Sequence, residues 1–157
     1  MAGGKLIVDN DLLFGDVVRL LGEGRTVTIP VKGYSMLPLI RGEKDLVVLE
    51  RAVEPSVGDI VLFHHCGRYI LHRIIAFDGQ VAVIRGDGVQ KATERCGKEH
   101  IYGKVTAILR CGTRRVDPYS PGMMRIYRLW EAVRPLRRYI LWLYRLPGRI
   151  LRKIRSL

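Results

Sequence analysis

Six runs rich in β-branched residues follow one another between Thr26 and Leu109: TVTIPV (26–31), DLVVLE (45–50), GDIVLF (58–63), RYILHRII (68–75), VAVIR (81–85) and YGKVTAIL (102–109). Turn signals separate them, at Lys32-Gly33, Gly42-Glu43, Cys66-Gly67, Asp78-Gly79 and Gly86-Asp87-Gly88. Short strands at such close spacing predict a mostly β fold with antiparallel pairing. Asp78-Gly79 between two of the runs is a hairpin signal.

The flanks read differently. Residues 10–21, NDLLFGDVVRLL, carry Leu13, Val17, Leu20 and Leu21 at helical spacing, with Asn10 or Asp11 as cap, and Gly22-Glu23-Gly24 ends the helix. The predicted division is an N-terminal helical segment over 1–25, a β domain over 26–111 and a basic helical tail over 122–157. A linker with Pro118 and Pro121 lies between the last two. Pro135 and Pro147 cut the tail into three helical pieces. Met123, Ile126, Tyr127, Trp130 and Val133 line the first. Leu136, Tyr139, Ile140, Leu143 and Tyr144 line the second, and Ile150, Leu151, Ile154 and Leu157 the third.

Charge follows the same division. The chain of 157 residues has a net charge of +12. Residues 1–120 hold 17 basic and 14 acidic side chains, whereas 121–157 hold 10 basic side chains and only Glu131. The basicity therefore says little about the body. With 48% hydrophobic and 27% charged residues, global disorder is excluded. Three cysteines, 30 and 15 residues apart, make neither a disulfide framework nor a zinc ligand set, so a reducing compartment is expected. The opening MAGGKLIVDN does not read as a secretory signal, and the longest apolar run, residues 139–144, is far below the roughly 20 residues of a spanning helix. The expected location is cytoplasmic or peripheral on a membrane.

Three residues of the balanced part carry chemistry. Ser35 follows a strand and a glycine and precedes Pro38, so it sits on a turn that exposes its hydroxyl; many such serines are only turn residues. The backbone N–H groups of Ser35 and Met36 are the candidate oxyanion donors. His72 shares a strand face with Ile70 and Ile74, which suits either a core histidine or a general base kept neutral by burial. Asp87, between two glycines, is either a turn aspartate or a carboxylate that orients His72. His64-His65-Cys66 lacks a second ligand pair, so no metal is expected, and no cofactor is implied.

In order, these motifs are V-K-G-Y-S-M-L-P (31–38), R-G-E-K-D-L-V-V-L (41–49), V-G-D-I-V-L-F (57–63), Y-I-L-H-R-I-I (69–75), I-R-G-D-G (84–88) and I-Y-G-K-V (101–105). Together, over about residues 26–109, they resemble the superfamily of type I signal peptidases and self-cleaving repressors of the SOS response. That resemblance implies a coiled antiparallel β-sheet peptidase domain and a serine endopeptidase that cuts a signal or leader peptide. Histidine at position 72, where many members have lysine, is similar to the branch that uses Ser, His and Asp. The resemblance then implies Ser35 as nucleophile, His72 as general base and Asp87 as its orienting carboxylate. Asp45 and Asp59 match motif positions but read as structural residues at strand ends. Gly33 stands where many bacterial members place a hydroxyl side chain that helps the oxyanion. A non-catalytic or self-cleaving regulator is the alternative.

The expected partner is an extended peptide or preprotein. For the tail, arginines interleaved with Trp, Tyr and Leu suit an anionic membrane surface or a protein partner, or docking onto the body. Nucleic acid fits less well, because the apolar face is too continuous for a phosphate-binding arm.

Overall fold

The computed structural model of the chain describes residues 10–143. Helix α1 (Asn10–Gly22) comes first. Eight strands follow: β1 (Val27–Pro30), β2 (Leu46–Arg51), β3 (Ile60–His65), β4 (Arg68–Asp78), β5 (Val81–Arg85), β6 (Glu94–Gly97), β7 (Ile101–Arg110) and β8 (Arg114–Val116). Helix α2 (Pro121–Ala132), a 3-10 turn (Arg134–Leu136) and a helical stretch at 137–143 complete the described chain. All strand pairs are antiparallel, in one sheet ordered β1-β2-β7-β3-β4-β5-β6, with β8 added to β7. The mostly β, antiparallel fold read from the six runs is thus what forms, and each run holds a strand.

Two strands were not legible as runs. Glu94–Gly97 has one buried side chain, Cys96, and becomes β6 because β5 offers it a free edge. Arg114–Val116 lies in the stretch expected as a linker and instead pairs with β7. Neither has the alternating apolar pattern by which a strand is recognised, since both are short and one-sided.

The central strand β3 shows why the sheet holds. Ile60 and Leu62 join one apolar cluster with Val17 and Leu21 of α1, Val47, Leu49, Val105 and Ile108. Val61 and Phe63 join a second with Ile74, Ala82, Ile84 and Ile101. Alternate residues of one strand feed opposite faces, so four consecutive apolar residues are buried with nothing wasted. The predicted helix face is partly observed: Val17 and Leu21 are buried and Leu20 half-buried, while the side chain of Leu13 lies outside the described residues. Between β3 and β4, Cys66 (φ 48°) and Gly67 (φ 75°) form the two-residue turn with both dihedrals positive that matches strand twist.

At the start of β2, Asp45 is buried among donors. Its carboxylate accepts from the Arg41 side chain (2.9 Å), the Arg41 N–H (2.9 Å), the Arg110 guanidinium and the Cys111 N–H (3.3 Å). Burial alone raises the carboxyl pKa, but Arg41 first and then Arg110 and Cys111 outweigh it and bring it from 3.8 to about 2. Because the folded value is depressed, the stabilisation is complete above the unfolded pKa and fades as pH falls toward about 2. The expected size is about 2 kcal/mol. Urea titrations between about pH 5 and pH 2 should show a slope that Asp45→Asn removes; equal slopes in the two proteins contradict it. Asp59 is structural as well: it accepts from the Ser56 N–H at 3.0 Å and pairs with Lys104 at 2.8 Å.

Candidate active site

Ser35 lies half-buried in the turn that leaves β1, between exposed Tyr34 and buried Met36. The turn is held at both ends. The Leu37 N–H donates to the Tyr34 carbonyl at 3.2 Å, and the Gly88 N–H donates to the Ser35 carbonyl at 2.7 Å. The second bond ties the serine turn to the loop after β5.

The glycines of that loop are there for contact. A Cβ on Gly86 would fall 2.5 Å from the Ser35 carbonyl oxygen and 2.9 Å from His72 Nε2. One on Gly88 would fall 2.8 Å from the Tyr34 carbonyl oxygen. The Ser35 backbone and Nε2 of His72 therefore converge on Gly86, where no side chain fits.

His72 comes from the middle of β4, opposite Val61 of β3, and is 6% exposed. Its ring lies 6.3 Å from that of Phe63, on the face of the second cluster. Nδ1 sits 3.1 Å from Glu94 Oε2. An ionised carboxylate only accepts, so the Nδ1 hydrogen belongs to this bond and the lone pair is left on Nε2. That is the tautomer a general base needs.

Asp87 does not occupy the position expected of it. Both its oxygens accept from Arg73, at 2.9 Å from Nε and 2.8 Å from an NH2 nitrogen, in a pair whose side chains are 1% and 2% exposed. The reason lies one residue beyond His72. Arg73 is buried on β4, and a buried guanidinium must find a carboxylate. Burial works to lower the Arg73 pKa, yet the Asp87 hydrogen bonds and charge outweigh it and raise it above the usual value, so the guanidinium stays charged. Arg73 also donates to the Gly58 carbonyl at 2.7 Å and stacks its guanidinium 4.2 Å from the Tyr127 ring centre.

Glu94 is the residue that sequence reasoning missed. It opens β6, and without that strand nothing placed it beside His72. Arg73 was a usable clue, since a buried arginine next to the histidine competes for the same aspartate.

The tail closes over this machinery from one side. Trp130 Nε1 donates to the Asp87 carbonyl at 2.6 Å, and Trp130 packs with Leu141 and with Leu37 of the serine turn. Arg137 donates to the Val89 carbonyl at 3.2 Å and to Glu131 at 2.6 Å, and Glu131 also takes Arg85 at 2.8 Å. Burial pushes the Glu131 carboxyl up, but Arg137 and then Arg85 hold it below the usual range. One face of the tail is therefore part of the body.

No cysteine competes for the chemistry at this site. Cys66 and Cys111 lie in exposed turns, and burial pushes the Cys96 thiol up to about 11, so that it stays protonated at neutral pH. Among the described residues no group of three His, Cys, Asp or Glu side chains is placed to hold a metal ion.

The family model for Peptidase S24-like proteins matches residues 6–106, more than half of the chain. The chain belongs to the Peptidase S24-like family. That is the family of serine peptidases like the SOS repressors and type I signal peptidases, as the motif order implied, and it includes non-catalytic members. Membership supports peptidase activity in the broad sense. No curated protein compared with this S24-like chain matches it. No helix among its described residues is long and apolar enough to cross a membrane.

Proposed function

We propose that this S24-like chain is a serine endopeptidase that removes a signal or leader peptide, with Ser35 as nucleophile, His72 as general base and Glu94 as its orienting carboxylate. The observation that carries this reading is His72 itself: Nδ1 is engaged by Glu94, and Nε2 faces the place where the Ser35 backbone meets Gly86. In the reaction Nε2 takes the Ser35 proton as Oγ attacks the carbonyl of the scissile bond, and delivers it to the amine as the C–N bond breaks; a water that gives its proton to the same nitrogen then releases the acyl group, and the proton returns to Ser35. Glu94 stabilises the imidazolium formed in between. The N–H groups of Ser35 and Met36 receive the developing oxyanion, since Gly33 has no hydroxyl to lend. Asp87 has a different role: it neutralises Arg73 and holds the loop that the Ser35 carbonyl bonds. The substrate is an extended peptide. Strand β1 is at the edge of the sheet and runs into the Ser35 turn, so a peptide added along it delivers its backbone to the serine.

The test is cleavage of leader-type peptides by the purified chain, with Ser35→Ala as the comparison. Turnover is expected to vanish in the variant while its circular dichroism is unchanged. Equal turnover by Ser35→Ala overturns the assignment.

A further inference from the structure

The second helical piece of the tail turns its apolar stripe outward. Its buried residues are Arg137 and Leu141, while four residues of the stripe, Leu136, Tyr139, Ile140 and Leu143, are 40–65% exposed. Tyr144 lies outside the described residues. Trp142 adds 57% exposure, and on α2 Ile126 and Leu129 are exposed at 49% and 70%. Among the described residues, seven of the ten exposed large hydrophobics fall between 126 and 143. Arg137 is held inward by Glu131, by the Val89 and Trp130 carbonyls and by the Trp130 ring, and that fixes the rotation of the helix.

We propose that this outward face is an interfacial membrane anchor for bilayers containing anionic lipid. Two observations choose that occupant. The apolar side chains include the amphipathic rings of Tyr139 and Trp142, which suit the headgroup boundary. Around them stand exposed Arg125, Arg128, Arg134 and Arg138, and the sequence beyond, residues 144–157, adds five basic side chains and no acidic one. Anionic headgroups complement that charge, while the acyl boundary takes the apolar stripe. A polyanion in water would satisfy the arginines and leave seven large hydrophobics exposed. Because the inner face of the same tail bonds the Asp87 and Val89 carbonyls and packs on Leu37, the anchor holds the candidate site beside the bilayer.

The experiment is sedimentation of the full chain with vesicles of phosphatidylcholine alone and with about 30% phosphatidylglycerol, at about 0.1 M and about 1 M salt. Binding is expected only with phosphatidylglycerol, and weaker at high salt. Tryptophan emission should shift blue on binding and report Trp142, since Trp130 is already buried. Arg138→Gln should lower the partition coefficient about fivefold, and Trp142→Ser with Leu143→Ser at least about tenfold. Both sets of changes are on exposed positions, and circular dichroism checks that the fold is kept. No binding to either vesicle overturns the proposal, as do equal binding by the double variant and a dimer in solution that buries Trp142. Ser35→Ala should bind vesicles as the parent chain does, so failure of the anchor and failure of the peptidase reading are distinguishable.

Discussion

Asp87→Asn is expected to cost the fold about 3–5 kcal/mol, as for a buried ion pair broken from one side. Arg73 cannot give up its proton, and with its side chain 1% exposed it has no water to turn to. An asparagine of the same shape would aim an N–H at the guanidinium and leave the charge uncompensated. Such a loss is a large part of the 5–15 kcal/mol that typically holds a domain together. Replacing both partners, Arg73→Met with Asp87→Leu, should restore most of the stability, because the desolvation penalty disappears together with the attraction. Asp78→Asn is the control: it removes a similar pair with Arg95, but one whose side chains are 55% and 72% exposed, and the change should stay within about 0.5 kcal/mol. Urea midpoints of the four proteins check the series. Equal losses for Asp87→Asn and Asp78→Asn contradict it.

On the rate, the largest separation is expected between His72 and its carboxylate. His72→Ala should lower turnover about 10⁶-fold, since the base and the nucleophile act as one unit. Glu94→Gln should lower it about 10⁴-fold with little change in stability, because the amide can donate to Nδ1 and so admit the tautomer with its hydrogen on Nε2. Glu94 is the group to change, and Asp87 the control measured under conditions where its variant is folded. If Asp87→Asn abolishes turnover while folded and Glu94→Gln does not, the orienting role returns to Asp87.

The exchange of partners between these two carboxylates marks how far the residue pattern carries. Ser35 and His72 were readable because each sits in a run with strong local signals, a strand, a glycine and a turn. Asp87 was readable as important, but its partner was not. His72 and Arg73 are adjacent, and which of them a distant carboxylate meets depends on how β5, the loop after it and β6 lie against β4. Glu94 had no signal at all, since a short strand with one buried residue looks like a loop. In the tail, hydrophobic periodicity located the first two helical stretches, the third lies outside the described residues, and which side of the second turns inward was not legible. There a single arginine, bonded to Glu131 and two carbonyls, outweighs a stripe of apolar residues in deciding which side turns inward.

By itself the sequence determined the mostly β class, the antiparallel pairing, the helix on its N-terminal side and the separation of a nearly neutral body from a basic tail. Those follow from periods of two and of 3.6 residues and from turn residues, which act over a few positions and are written in order along the chain. Only the tertiary structure decided that Arg73 claims Asp87, that Glu94 turns to His72, that Gly86 must be bare and that the tail packs one face beside the Ser35 turn and leaves the other exposed. Each of those is a choice among partners far apart in sequence. It is made by the cost of leaving a buried charge or donor unmet, a cost that exists only once the chain has folded.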